Sequence, residues 1–113
     1  MDMITWDDFE KVDIRVGTVI KAEVNDKAKK PAYKMEIDFG ELGIKRSSAQ
    51  ITQLYKPEEL IGKQVIAVIN FPPKTIAHFS SEVLVLGVIQ GKDEQDIILL
   101  QPERKAINGK RIS

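Results

Sequence analysis

The sequence predicts an all-β chain in which five antiparallel strands wind into a Greek-key barrel, with a short helix between strands three and four and extra elements at the termini. Three observations predict it. Apolar and polar residues alternate along 12–24 and 33–39, the period-two signature of half-buried strands. Two later stretches, 64–71 and 83–89, are apolar at nearly every position, as expected of strands covered on both faces. Between these groups the alternation breaks over 50–60, where Pro57, Glu58 and Glu59 suit a helix start and Gly62 suits its end.

Along the chain, Thr5-Trp6-Asp7-Asp8 is a capping-box pattern that opens a short helix over 5–11. The first strand puts Val12, Ile14, Val16, Thr18, Ile20, Ala22 and Val24 on one face and Asp13, Arg15, Lys21 and Glu23 on the other. Gly17 interrupts it. A glycine inside a strand marks a bulge or bend, so this strand is expected to turn there and serve both halves of a barrel. A charged loop at 25–31 carries Lys27, Lys29 and Lys30. In the second strand Tyr33, Met35, Ile37 and Phe39 alternate with Lys34, Glu36 and Asp38; Gly40-Glu41-Leu42-Gly43 then turns the chain into a third strand at 44–49.

The segment 50–60 is expected to be helical, as one helix or two short pieces. The apolar strands at 64–71 and 83–89 are joined by a stiff connection around Pro72 and Pro73. One face of each strand belongs to the core, and the other needs a local helix or a second subunit to cover it. A turn at 91–95 leads to a last strand at 97–100. The tail, 104–113, contains Asn108-Gly109 and is expected to end in a turn or short hairpin. Three strands, a helix and then two or more strands is the order of an OB-fold barrel; an SH3-like barrel would not ordinarily place its helix there.

The chain has 113 residues, which fits one domain over 1–113 with no second core. Its 17 basic and 17 acidic side chains cancel, so broad, non-specific attachment to nucleic acid is not expected, although a local basic patch is compatible with neutrality. Without cysteine there is no disulfide, thiol catalysis or thiolate metal site. The start has neither the positive charge nor the apolar run of a signal peptide, and no stretch approaches the roughly 20 apolar residues of a membrane helix. The expectation is a cytoplasmic protein with no membrane insertion.

Catalytic patterns are missing. His78 is the lone histidine, in a polar loop without a carboxylate cluster beside it, and neither Ser47-Ser48 nor Ser80-Ser81 sits in a nucleophile elbow. No phosphate-cradling glycine loop is present. We therefore expect no enzyme activity, no cofactor and no metal. Binding fits better. Lys30, Lys34, Lys45, Arg46 and Lys74 fall on the loops and sheet face with which OB domains hold oligonucleotides, though composition alone favours reading lysine-rich loops as plain solvated surface. Phe71 and Phe79, at the ends of the proline connection, read equally as core or as exposed apolar surface for a second subunit or an unfolded peptide.

Several of these segments resemble one family. Asp13-Ile14-Arg15-Val16-Gly17 with Lys21-Ala22-Glu23, then Pro57-Glu58-Glu59-Leu60-Ile61-Gly62-Lys63, Asn70 and Ser81-Glu82, resemble the tRNA-binding domain family, which includes small dimeric tRNA-binding proteins and an appendage of methionyl-tRNA synthetases. Lys30-Pro31-Ala32-Tyr33-Lys34, Ile37-Asp38-Phe39-Gly40, Ser47-Ser48-Ala49-Gln50-Ile51-Thr52, Asn70-Phe71-Pro72-Pro73 and Ser81-Glu82-Val83-Leu84-Val85-Leu86-Gly87 are similar to its export-chaperone branch. The resemblance implies an OB-fold homodimer that binds unfolded or precursor polypeptides without ATP, with the export motor ATPase as a further partner. From apolar character and loop position, the candidate peptide-binding residues are Tyr33, Phe71, Pro72, Phe79 and Leu84. The alternative is a structure-specific tRNA-binding protein using Lys30, Lys34, Lys45, Arg46, Asn70, Lys74, Ser81 and Glu82. The chain departs from the tRNA binders, which continue Ser-Glu with Gly-Met, by having Val83-Leu84; a β-branched valine denies a ligand the close backbone approach that glycine allows.

Overall fold

The computed structural model describes residues 1–92 and 96–113. Helix α1 (Trp6–Glu10) starts at the expected capping box: Asp8 N–H donates to Thr5 Oγ1 at 3.1 Å, and Thr5 N–H donates to the Asp8 carboxylate at 2.9 Å. The long strand β1 (Ile14–Val24) is the hub of the sheet. Its second half pairs antiparallel with β2 (Tyr33–Asp38), and its first half with β4 (Gln64–Val68). A turn of 3-10 helix at Gly40–Leu42 carries β2 into β3 (Ile44–Ala49). With β7 (Leu84–Val85) on the far side of β4, the order β3-β2-β1-β4-β7 forms a nearly closed antiparallel OB-type barrel.

Closure joins β3 to the segment before β7. Glu82 and Val83 donate their backbone N–H groups to the Arg46 carbonyl at 2.8 and 3.3 Å. The core inside contains Val19, Met35, Ile37, Phe39, Leu60, Val65 and Ala67, all fully buried, together with Ile51, Tyr33 and Val83.

The bend in β1 differs from expectation. Pairing with β2 runs Thr18 with Asp38 and Val19 with Ile37, then jumps to Lys21 with Glu36, leaving Ile20 as the extra residue of a bulge. An odd residue reverses the face of everything beyond it. Val19, opposite Ile37 before the bulge, is buried, and Ala22, opposite Met35 beyond it, packs against the core, while Ile20 and Val24, expected inside, are exposed. Gly17 has another reason to be glycine: a Cβ there would lie 2.7 Å from Ile37 Cγ2 and 2.8 Å from the Phe39 ring.

The helix before β4 is shorter than expected. Only α2 (Pro57–Leu60) is helical, with Pro57 in its first turn and Gly62 at φ +91 beyond its end. The stretch 50–56 is held by tertiary contacts instead. Ile51 enters the core, the Tyr33 hydroxyl donates to the Tyr55 carbonyl at 2.6 Å, and the Tyr55 hydroxyl accepts from Leu99 N–H at 3.0 Å.

The connection at 72–82 contains an unexpected hairpin, β5 (Lys74–Ile76) and β6 (Phe79–Ser81), turning through Ala77 and His78 at φ 48 and 67. The apolar run 83–89 splits into β7 and β8 (Gly87–Ile89), and β8 pairs with β9 (Ile97–Leu99). Leu86 makes the break, donating to the Ile66 carbonyl at 2.8 Å and accepting from Leu100 N–H at 3.2 Å. Leu84, Val88 and Ile89 stay exposed, so one face of this run lacks the cover its composition calls for. The turn expected at 91–95 lies partly outside the described residues. The tail turns at Asn108–Gly109 and then runs beside the start of β1 where β2 has ended, bridging Arg111 to Arg15. Among the described residues no helix is long and apolar enough to cross a membrane.

Candidate binding groove

The β5–β6 hairpin and the lysine loop between β1 and β2 frame two adjoining grooves. One, of about 320 Å³, lies against Phe71, Pro72, Lys74, Ser81, Glu82 and Leu84. The other, of about 450 Å³, lies against Lys27, Lys29, Lys30, Ala28, Gln50 and Ala77. Ser48 and Ile76 line both, so the two make one trough across the open side of β3. Phe71 is 52% exposed and Leu84 49%, so this end of the trough has an uncovered apolar surface. The prolines after Phe71 fix an extended course for the chain and hold that ring beside the trough.

Three of the apolar candidates meet here: Phe71, Pro72 and Leu84. Tyr33 and Phe79 do not. Both are buried: Tyr33 sits in the core with its hydroxyl engaged, and Phe79 lies under the Arg46 guanidinium, 4.5 Å from its ring centre. Burial, followed by the nearby Glu58 and Glu59 carboxylates, pushes the Tyr33 phenol above its ordinary pKa.

The polar candidates divide as well. Lys30, Lys74, Ser81 and Glu82 line the trough. Lys34 pairs with Glu23 at 3.3 Å and shares a small pocket on the sheet face with Arg46, while Lys45 is half-buried on β3. Asn70 is occupied at both ends of its amide, accepting from Asp13 N–H at 3.0 Å and donating to the Lys11 carbonyl at 2.7 Å. Ser81 and Glu82 also have internal partners: Ser81 Oγ accepts from Ser48 N–H at 2.9 Å, and the Glu82 carboxylate accepts from Arg46 N–H at 3.0 Å. These side chains stand in for the strand that β3 lacks on that edge.

Sequence reasoning missed Ser48 and Ile76, the residues that join the two halves. The signal for Ile76 was weak because a two-residue hairpin is read from glycine or asparagine at its turn, and this one uses alanine and histidine, while Ser48, on β3, meets it only once the barrel closes. Among the described residues no group of three His, Asp or Glu could hold a metal ion.

Comparison with known families matches residues 14–111 to the family described as "Putative tRNA binding domain". Among solved structures, chaperone CsaA from Bacillus anthracis str. Ames is 54% identical at a TM-score of 0.91, covering 99% of this chain and 100% of that one. The CsaA chaperone protein from Picrophilus torridus is 53% identical at a TM-score of 0.89, covering 98% and 100%. Among curated proteins, the methionine–tRNA ligase of Methanococcoides burtonii is 40% identical over 108 residues, which is 96% of this chain. The chain spans 15% of the length of that ligase.

Proposed function

This chain belongs to the tRNA-binding domain family, and from that premise we propose that it is a homodimeric, ATP-independent cytoplasmic chaperone that binds unfolded or export-bound polypeptides. The observation that carries the reading is the apolar end of the trough. Phe71, Pro72 and Leu84 present uncovered hydrocarbon beside Ile76, suited to a side chain from an extended segment. The likeness to CsaA chaperones over essentially the whole chain supports it. Capture is driven by removing apolar surface from water, and release follows by mass action or by handover to a partner such as the export motor ATPase.

A second copy is part of the proposal. Val88, Ile89, Ile98 and Leu100 are exposed on and beside the β8–β9 pair, as are Met3, Ile4 and Trp6 at the other end of the chain. Covering such faces is what a symmetric dimer does. Sedimentation should give twice the chain mass, and a stable monomer in dilute solution would refute the dimer.

The alternative, a structure-specific tRNA-binding protein, is favoured by the family match and by the lysines along the trough. Against it, the polar groups of Asn70, Ser81 and Glu82 already have partners within the chain. The deciding experiment titrates an unfolded precursor polypeptide and deacylated tRNA side by side, at low and near-physiological salt. Binding through phosphates weakens steeply with salt, whereas apolar capture changes little. Salt-tolerant polypeptide binding supports the chaperone. Salt-sensitive tRNA binding without polypeptide capture overturns it.

A further inference from the structure

The charges along the trough are not a sample of the whole chain. The sequence is neutral, 17 against 17, yet Lys27, Lys29, Lys30 and Lys74 line the two grooves against a single carboxylate, that of Glu82. Glu82 is turned to the Arg46 N–H, which takes up part of its acceptor capacity. The four lysines are exposed, and none is paired with a carboxylate among the described residues. Elsewhere on the same sheet, Lys21 and Lys34 are matched with Glu36 and Glu23. A basic rim with Glu82 as the one carboxylate lining it therefore borders an apolar floor of Phe71, Ile76 and Leu84.

We propose that this trough selects extended polypeptide segments that combine apolar side chains with aspartate or glutamate, and discriminates against segments with basic flanks. The selection rests on the polypeptide-binding reading above. Apolar burial supplies affinity without regard to charge, and the lysine rim supplies the choice, since like charges brought together there are repelled and opposite charges attracted. Several exposed lysine–carboxylate pairs, each worth little alone, together favour acidic over neutral flanks by roughly five- to tenfold at low salt. The preference shrinks as salt screens the rim, while the shared apolar contribution remains.

The test uses the full chain and three synthetic peptides with one leucine–phenylalanine core, flanked by aspartates, serines or lysines, measured by fluorescence anisotropy. Affinity should fall in the order aspartate, serine, lysine. The paired change Lys30→Glu and Lys74→Glu should reverse that order, with circular dichroism and unfolding midpoint as checks that the fold is kept. Equal binding of all three peptides overturns the selection but leaves polypeptide capture standing. Binding of none overturns both. If tRNA binds tightly, no peptide order appears and the charge reversal abolishes the tRNA complex, the rim serves phosphates and the proposal fails.

Discussion

The Glu82 carboxylate accepts the Arg46 backbone N–H at 3.0 Å, while the Glu82 N–H donates to the Arg46 carbonyl at 2.8 Å. One residue thus satisfies both backbone groups of another, side chain on one bond and main chain on the other, and the barrel closes through that exchange. Glu82→Ala removes one bond and leaves the Arg46 N–H to water, which should destabilise the fold by about 1 kcal/mol. Glu82→Gln keeps an acceptor at the same place and should stay within about 0.5 kcal/mol of the parent. Urea unfolding measures both. If Gln is as damaging as Ala, the negative charge rather than the acceptor holds β3 to this segment.

The hairpin turn is strained in a way that can be relieved. Ala77 and His78 both have positive φ, a region where an L side chain meets the following carbonyl and where asparagine and glycine fit best. Ala77→Asn with His78→Gly should stabilise the protein by about 1–2 kcal/mol, seen as a higher urea midpoint at unchanged slope. No gain would mean that the turn relaxes into another conformation in solution.

Much of the barrel was legible because its signal is local. Alternation along Tyr33, Met35, Ile37 and Phe39 states directly which side of β2 faces the core, and all four are buried there. The errors lie where one distant contact outweighs a local pattern. The bulge at Ile20 follows from the pairing with Glu36 and Ile37, not from any residue that favours a bulge, so Gly17 looked the better candidate. The trough was half legible for the same reason. Phe71, Pro72 and Leu84 could be gathered from their apolar character, but only closure of the barrel brings Ser48 beside Ile76 and takes Phe79 inside, whereas the alternation of β2 already placed Tyr33 in the core.

Gly109 tests whether the tail is an integral strand. It has φ +90, its N–H donates to the Val16 carbonyl at 2.7 Å, and a Cβ on it would collide with the Phe39 carbonyl. Gly109→Ala cannot relieve that contact by rotating a side chain, because the neighbour is backbone. It should cost about 1–3 kcal/mol and expose 104–113 to proteolysis before the barrel itself opens. A tail as resistant as the parent's would show that its docking tolerates the added methyl.

Tyr33 makes stability depend on alkaline pH, and the sign follows from its raised pKa. Burial and the neighbouring Glu58 and Glu59 oppose its ionisation in the folded state, so the unfolded chain loses this proton first. Below the unfolded phenol's pKa both states hold the proton and the contribution is fully present. As pH climbs from that value through the folded pKa, the unfolded state is favoured and the contribution is lost. Tyr33→Phe removes the titration together with the bond to the Tyr55 carbonyl. The variant should therefore be less stable at neutral pH, by about 1 kcal/mol, yet lose less of its stability above the phenol's ordinary range. Every other group is common to both proteins, so the difference between the two curves isolates Tyr33. A gap that stays constant across the alkaline range would mean that Tyr33 ionises as readily folded as unfolded, and that water reaches its hydroxyl despite the core around it.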